Sequence, residues 1–210
     1  KSITSIAKIA ESQVLKWPDK LTTDSKYTQK LYKEKLDMDF DYLPSPIDVQ
    51  KFSRIGNVKK IENQVAYVGR DSHEKGIDIL KKAELQINGD VVYCIDRSWE
   101  DAMRVIKSSS VVVVPSRMES LPTVIKEAFY LNVPVVATNV GGIPELVVDN
   151  ETGLLVPSEN PEKIAYSVNE LLSDTEKAKK LSRNGNDFVK KNMTWDVIFP
   201  KYIQFYKNLL

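Results

Sequence analysis

The chain of 210 residues has one cysteine, Cys94, and one histidine, His73. A lone cysteine excludes an internal disulfide and fits a reducing compartment. Within its apolar run, Cys94 reads as a small core residue. His73 reads as an exposed loop residue rather than a ligand or a catalyst, and no metal site is expected. Net charge is nearly absent. Thirty basic and 29 acidic residues leave +1, so no global field draws nucleic acid. Long hydrophobic runs are also missing: residues 110–115 and 133–137 are strand-sized, far short of a membrane span. The start carries no secretory signal, and no internal repeat or low-complexity tract appears. The first residue is Lys1 rather than Met, which suggests a piece of something longer. With 42% hydrophobic and 28% charged residues, the composition is that of an ordinary soluble protein able to bury a core.

Organisation shifts near residue 44. Before it, Ile3, Ile6, Ala7, Ile9, Ala10 and Val14 recur at helical spacing, and Trp17-Pro18 ends that helix. Residues 20–25 read as a short strand ending in a cap, with Ser25 accepting from the free amides of a helix over 26–36. Tyr42-Leu43-Pro44-Ser45-Pro46-Ile47-Asp48 is a stiff connector of the kind that joins domains. After residue 63, β-branched runs at 65–69, 91–95, 111–115, 133–140 and 153–156 alternate with helical stretches, as a doubly wound parallel sheet requires. A short helix is expected over 143–148, and helices over 161–172 and 175–191, with Ser158, Asn160 and Asp174 as candidate caps. In 195–210, Trp195, Ile198, Phe199, Tyr202, Phe205 and Tyr206 share one broad face that needs something large to pack on.

Glu119 and Glu127 bracket Ser120-Leu121-Pro122-Thr123-Val124-Ile125-Lys126, just after the run Val111-Val112-Val113-Val114-Pro115-Ser116. Pro122 suits the first position of a helix, where a missing amide hydrogen costs nothing. The expected geometry is strand, short loop carrying Glu119, then a helix with Glu127 on its second turn. Strand ends facing helix starts bind phosphate groups in open parallel sheets. Acids beside such an anion site suit the hydroxyls of the same ligand, as in a nucleotide sugar. A second set, Gly69-Arg70-Asp71-Ser72-His73-Glu74-Lys75-Gly76, places Arg70 at a strand end and Lys75 at the next helix start, a candidate diphosphate clamp. Neutralising a departing diphosphate would also lower the barrier to breaking a sugar–phosphate bond. Ion pairing of these two cations with Asp71 and Glu74 is the plainer alternative. A third set, Asn139-Val140-Gly141-Gly142-Ile143-Pro144-Glu145, would turn backbone amides of the glycine pair to a ligand, though a tight turn and a helix-start acid explain it too.

In this order, the three sets resemble the family 4 (group 1) glycosyltransferases of the two-domain GT-B fold. Matching stretches are Tyr67-Val68-Gly69-Arg70 to Glu74-Lys75-Gly76, Pro115-Ser116 to Glu119, Leu121-Pro122 to Glu127-Ala128, Pro134-Val135-Val136-Ala137, Gly141-Gly142-Ile143-Pro144-Glu145 and Thr152-Gly153-Leu154-Leu155-Val156. The resemblance implies an α/β Rossmann-like donor-binding domain over 63–194. Residues 1–43 would be the end of an acceptor-side domain, 44–62 the linker, and 195–210 a helix crossing back to the first domain. It implies that Arg70 and Lys75 hold the donor diphosphate and that Glu119 positions the transferred sugar. Glu127 would bind the ribose, with the amides of Thr123 and Val124 adding to the anion site. Leu121, Pro122, Gly141 and Gly142 complete the implied substrate-binding set.

The resemblance further implies transfer from a nucleoside-diphosphate sugar with retention of configuration and no other cofactor. Glu119 would stabilise charge rather than attack as a nucleophile. The acceptor would be a glycan or lipid-linked hydroxyl. The parent would then be cytoplasmic, with the membrane surface as a further place of work. Nothing in the residues chooses among UDP, GDP and ADP donors. Two departures stand out. Only one strand–helix unit (91–95, then Trp99–Ser108) lies where such families have two, and the glycine-rich loop and catalytic histidine of a first domain have no counterpart. The chain alone is therefore expected to catalyse little. A sugar-nucleotide epimerase and a non-catalytic nucleotide-binding module are the rival classes.

Overall fold

Val111, Val112, Val113 and Val114 are all buried, as a strand covered on both faces must be. In the computed structural model, which describes residue 15 and residues 17–209, these valines form the central strand of a five-stranded parallel sheet. The expected helix before Trp17-Pro18 falls largely outside the described residues.

A two-stranded parallel sheet comes first, β1 (Thr22–Thr23) beside β2 (Asp41–Tyr42), joined by α1 (Lys26–Leu36). Ser25 caps α1 as expected, its hydroxyl accepting from the Thr28 amide at 3.0 Å. The connector is shorter and better packed than its prolines suggest. Tyr42 already pairs in β2, and a 3₁₀ segment, Val49–Ile55, buries Phe52 and Ile55.

The main sheet contains β3 (Gln64–Gly69), β4 (Asp90–Ile95), β5 (Val111–Val114), β6 (Val135–Thr138) and β7 (Leu154–Val156). Their order is β4-β3-β5-β6-β7. Helices α2 (Ile77–Glu84) and α5 (Pro161–Ser173) supply one layer, with Val65, Val111, Val113 and Val136 facing it. Helices α3 (Trp99–Ser108) and α4 (Thr123–Tyr130) supply the other, against Ala66, Val112, Val114 and Ala137. Odd and even positions of β5 thus feed opposite cores, each fully buried valine contributing roughly 1.5–3 kcal/mol. Helix α6 (Thr175–Asn192) packs on α4, and α7 (Trp195–Lys207) closes the described chain. Asn160 and Asp174 cap α5 and α6 by accepting from the Lys163 and Lys177 amides.

Several expectations shift. The helix over 143–148 is only a 3₁₀ turn, Ile143–Glu145, closed by the Glu145 and Leu146 amides donating to the Gly142 and Ile143 carbonyls, after which Leu146 and Val147 are buried. Ser158 is not a cap; Asn160 has that role. The aromatic face of α7 is divided: Ile198 is fully buried, while Trp195, Phe199 and Tyr206 are exposed. As expected, a single strand and helix stand between β3–α2 and β5, so β4 lies at the sheet edge. From β4 the chain returns across β3 to β5. The switch point, where ligands bind open α/β sheets, therefore lies at the carboxyl ends of β3 and β5.

Candidate active site

Two loops meet at that switch point. The first leaves β3 with Arg70 exposed and turns through a 3₁₀ segment, His73–Lys75, before α2. Gly76 holds φ at +65°, and a Cβ there would come within 2.1 Å of the Pro115 carbonyl oxygen. Only glycine lets this loop rest main chain to main chain on the second loop, which follows β5.

Contact between the loops brings the predicted acid and base together. Lys75 Nζ donates to Glu119 Oε1 at 2.6 Å, and Ser116 Oγ donates to the same oxygen at 2.9 Å. Lys75 therefore pairs from one loop to the other rather than with Glu74. The Glu119 side chain is 9% exposed, and its Oε2 accepts no hydrogen bond among the described residues. Arg70 makes no side-chain ion pair or hydrogen bond among them either; its carbonyl accepts from Tyr67 Oη at 2.6 Å. Burial pushes the Tyr67 phenol up to about 12, so it stays a donor near neutral pH.

Arg117, which sequence reasoning passed over, ties the two loops together. Its guanidinium donates to Asp78 at 2.7 and 2.8 Å, to the His73 carbonyl at 2.8 Å, and to Glu159. Its amide also donates to the Glu74 carbonyl at 2.8 Å. Beside this cation, the Asp78 carboxyl is held down at about 2.

Helix α4 starts one residue later than expected. Pro122 has an extended ψ of 122° and is the cap residue, so Thr123 is the first helical position. No side chain caps this start, and the amides of Thr123 and Val124 have no partner within the helix. Leu121 and Pro122 are buried beneath the loop and support it. On the second turn, Glu127 Oε1 accepts from Trp99 Nε1 at 2.8 Å. Burial raises the Glu127 carboxyl pKa, and the indole N–H only partly offsets this. A cleft of about 260 Å³ opens beside it, lined by Asp48, Phe52, Trp99, Thr123 and Trp195 among others.

The glycine pair packs on the Glu119 loop, and of its two amides that of Gly142 is engaged there. A Cβ on Gly141 would sit 1.8 Å from the Glu119 carbonyl oxygen, and one on Gly142 would sit 1.9 Å from that of Ser120. The Gly142 amide donates to the Glu119 carbonyl at 3.3 Å, so it is turned to the protein. The pair is a seat for the Glu119 loop. Glu145 reaches the other part of the chain: its two oxygens accept from the α1 amides of Lys26 and Tyr27 at 3.0 and 2.8 Å. Nearby, Ser120 Oγ is bonded to Asp24, Ser25 and Thr28. Lys126, fully buried, donates to the carbonyl and hydroxyl of Ser45 at 2.7 and 2.9 Å, pinning the connector onto α4.

With this geometry in hand, a family model decides the affiliation: glycosyl transferases group 1 matches residues 81–188. The chain belongs to the group 1 glycosyltransferases. Its fold is the parallel α/β arrangement of GT-B enzymes. It is 36% identical over 100 residues to an uncharacterized glycosyltransferase of Methanocaldococcus jannaschii, covering 48% of this chain and 28% of that protein. It is 37% identical over 91 residues to the GDP-mannose-dependent alpha-(1-6)-phosphatidylinositol monomannoside mannosyltransferase of Mycobacterium tuberculosis, covering 43% of this chain and 24% of that one. The chain thus aligns with well under half the length of these curated relatives. Among solved structures it resembles sucrose-phosphate synthase from Thermosynechococcus elongatus, with a TM-score of 0.83 at 23% identity over 96% of this chain and 61% of that one. Anabaena HepE, solved in complex with UDP-glucose, gives 0.75 at 17% identity, over 90% and 64%. Among the described residues, no helix of this glycosyltransferase chain is long and apolar enough to cross a membrane.

Proposed function

We propose that this chain is the donor-binding part of a glycosyltransferase and takes a nucleoside-diphosphate sugar. The observation that carries this reading is shared by its two acids. Each has one oxygen held by the protein, Glu119 Oε1 by Lys75 and Ser116 and Glu127 Oε1 by Trp99, with no partner on the second among the described residues. Carboxylates held in this way accept from hydroxyls at a fixed place, which suits a sugar at Glu119 and a ribose at Glu127. Between them, the uncapped start of α4 offers the amides of Thr123 and Val124 to a diphosphate. Arg70 and Lys75 are the cations at the same edge. When donor binds, Lys75 exchanges part of its bond with Glu119 for phosphate oxygens, and the leaving diphosphate is neutralised as charge builds on it.

Retention of configuration, an acceptor hydroxyl on a glycan or lipid-linked sugar, and a cytoplasmic workplace that includes the membrane surface belong to the same reading. The M. tuberculosis relative is named for a lipid-linked acceptor and GDP-mannose, and HepE was solved with UDP-glucose, so UDP and GDP are the first donors to try. Calorimetric titration of the chain with UDP, GDP and ADP is the test. Binding of at least one with a dissociation constant below about 1 mM is expected. Silence from all three through the millimolar range overturns the reading.

A further inference from the structure

The single strand–helix unit between α2 and β5 has a consequence at Glu127. It sets the first residue of α3, Trp99, against the second turn of α4. The indole is held on its other side by Phe52, whose ring meets it edge-on at 5.1 Å and 80°. Phe52 is itself buried in the connector's 3₁₀ segment and packs on Tyr130 of α4 at 4.5 Å. The indole therefore has little freedom, and its N–H is directed at Glu127 Oε1. An indole nitrogen donates and never accepts, so it fixes which carboxylate oxygen is spent and which is left.

We propose that Trp99 is a positioning residue for ribose recognition: its indole N–H holds Glu127 Oε1 so that Oε2 alone is presented to the ribose hydroxyls of the donor. This rests on the nucleotide-sugar reading and adds to it the residue that sets the ribose reader. The cleft beside the pair, about 260 Å³ and lined by Phe52, Trp99 and Trp195, gives the nucleoside an aromatic-walled place to enter. A carboxylate with a free rotor would lose rotamer freedom each time ribose binds; one already clamped does not.

The discriminating measurement is the affinity ratio between UDP, GDP or ADP and its 2′,3′-dideoxy form, by calorimetry on the full chain. In the wild type, removing both hydroxyls should weaken binding at least tenfold. Trp99→Phe keeps the ring packed on Phe52 but deletes the N–H, and should shrink that ratio to about threefold or less, through weaker ribonucleotide binding. Glu127→Gln supplies a second test that leaves Trp99 in place. Because the indole can only donate, it captures the amide oxygen of Gln and turns the NH₂ toward the ligand; that group can donate to a ribose oxygen but cannot accept the charge-assisted hydroxyl bonds, so Glu127→Gln should shrink the ratio to about threefold or less. Equal weakening of ribo and dideoxy forms in Trp99→Phe would reduce Trp99 to a packing residue and overturn the proposal. So would a Glu127→Gln protein that keeps wild-type discrimination. Failure of the wild type to bind any of the three diphosphates overturns the underlying reading instead.

Discussion

Glu119 and Glu127 differ in what surrounds them, and their substitutions should separate accordingly. Glu119 touches a cation and a hydroxyl at the strand ends, whereas Glu127 rests against an indole. On the proposed reading, Glu119→Ala should lower transferase kcat by about 100-fold or more with nucleotide affinity changed less than about threefold. Glu127→Ala should do the reverse, weakening nucleoside diphosphate by about tenfold. Steady-state kinetics beside calorimetry checks this, and equal effects on affinity would mean the two roles are misassigned. Arg117 gives a stability test. Its fork serves Asp78 through two bonds, a geometry that an ammonium lacks, so Arg117→Lys should cost about 1 kcal/mol at pH 6 by urea unfolding. The Asp78 carboxyl is depressed to about 2 from an ordinary 3.8, so its contribution is present above 3.8 and fades as pH falls through 2. Unfolding curves of wild type and Arg117→Lys should therefore converge near pH 2.

Helix α4 carries three side chains with separate destinations: Glu127 toward the cleft, Lys126 into the connector and Phe129 into the core. Lys126 is held down to about 8 by burial, against 10.5 in an unfolded chain. Between those values the unfolded chain binds more protons, so stability rises as pH climbs from 8 toward 10.5. Lys126→Met should remove that rise, read as the difference in unfolding free energy between pH 7.5 and 10; a slope unchanged from wild type would show that the lysine is not the titrating group. The strands and most helices were legible because β-branched runs and amphipathic spacing are local signals. The roles of Trp99, Arg117, Lys126 and Ser120 were not, since each depends on a partner 28 to 96 residues away that no local pattern encodes. For Gly141 and Gly142 the motif was visible, but glycine signals close approach without saying what approaches; here the Glu119 and Ser120 carbonyls do. The single strand–helix unit before β5 was readable along the chain, but that it leaves β4 at the sheet edge came only with the strand order.

At the scale of the whole chain, the first region is fastened to the loops of the main sheet by the Glu145 cap on α1 and by the Ser120 hydroxyl among Asp24, Ser25 and Thr28. Glu145→Ala removes acceptors from two α1 amides and should free them selectively. Hydrogen exchange at Lys26 and Tyr27 should quicken by about tenfold or more while β5 and β6 stay protected; unchanged exchange at α1 would show that the cap contributes nothing. Further out, Pro200, Lys201, Gln204 and Phe205 of α7 line one cleft with Asp41 and Tyr42 of β2, and the Met193 carbonyl accepts the Ile47 amide at 2.8 Å, so the chain entering the main sheet meets the chain leaving it. The seat under Glu119 has its own implication for how this sequence can vary. Main chain rests there on main chain, with no side chain between Gly141 and the Glu119 carbonyl. Mutational tolerance around the loop should therefore be uneven. Ser120 or Met118 can change with graded loss, whereas even a methyl group at 141 or 142 would have to lift the backbone that carries the acid. In a saturation library selected for folding, those two positions should come back nearly empty of anything but glycine.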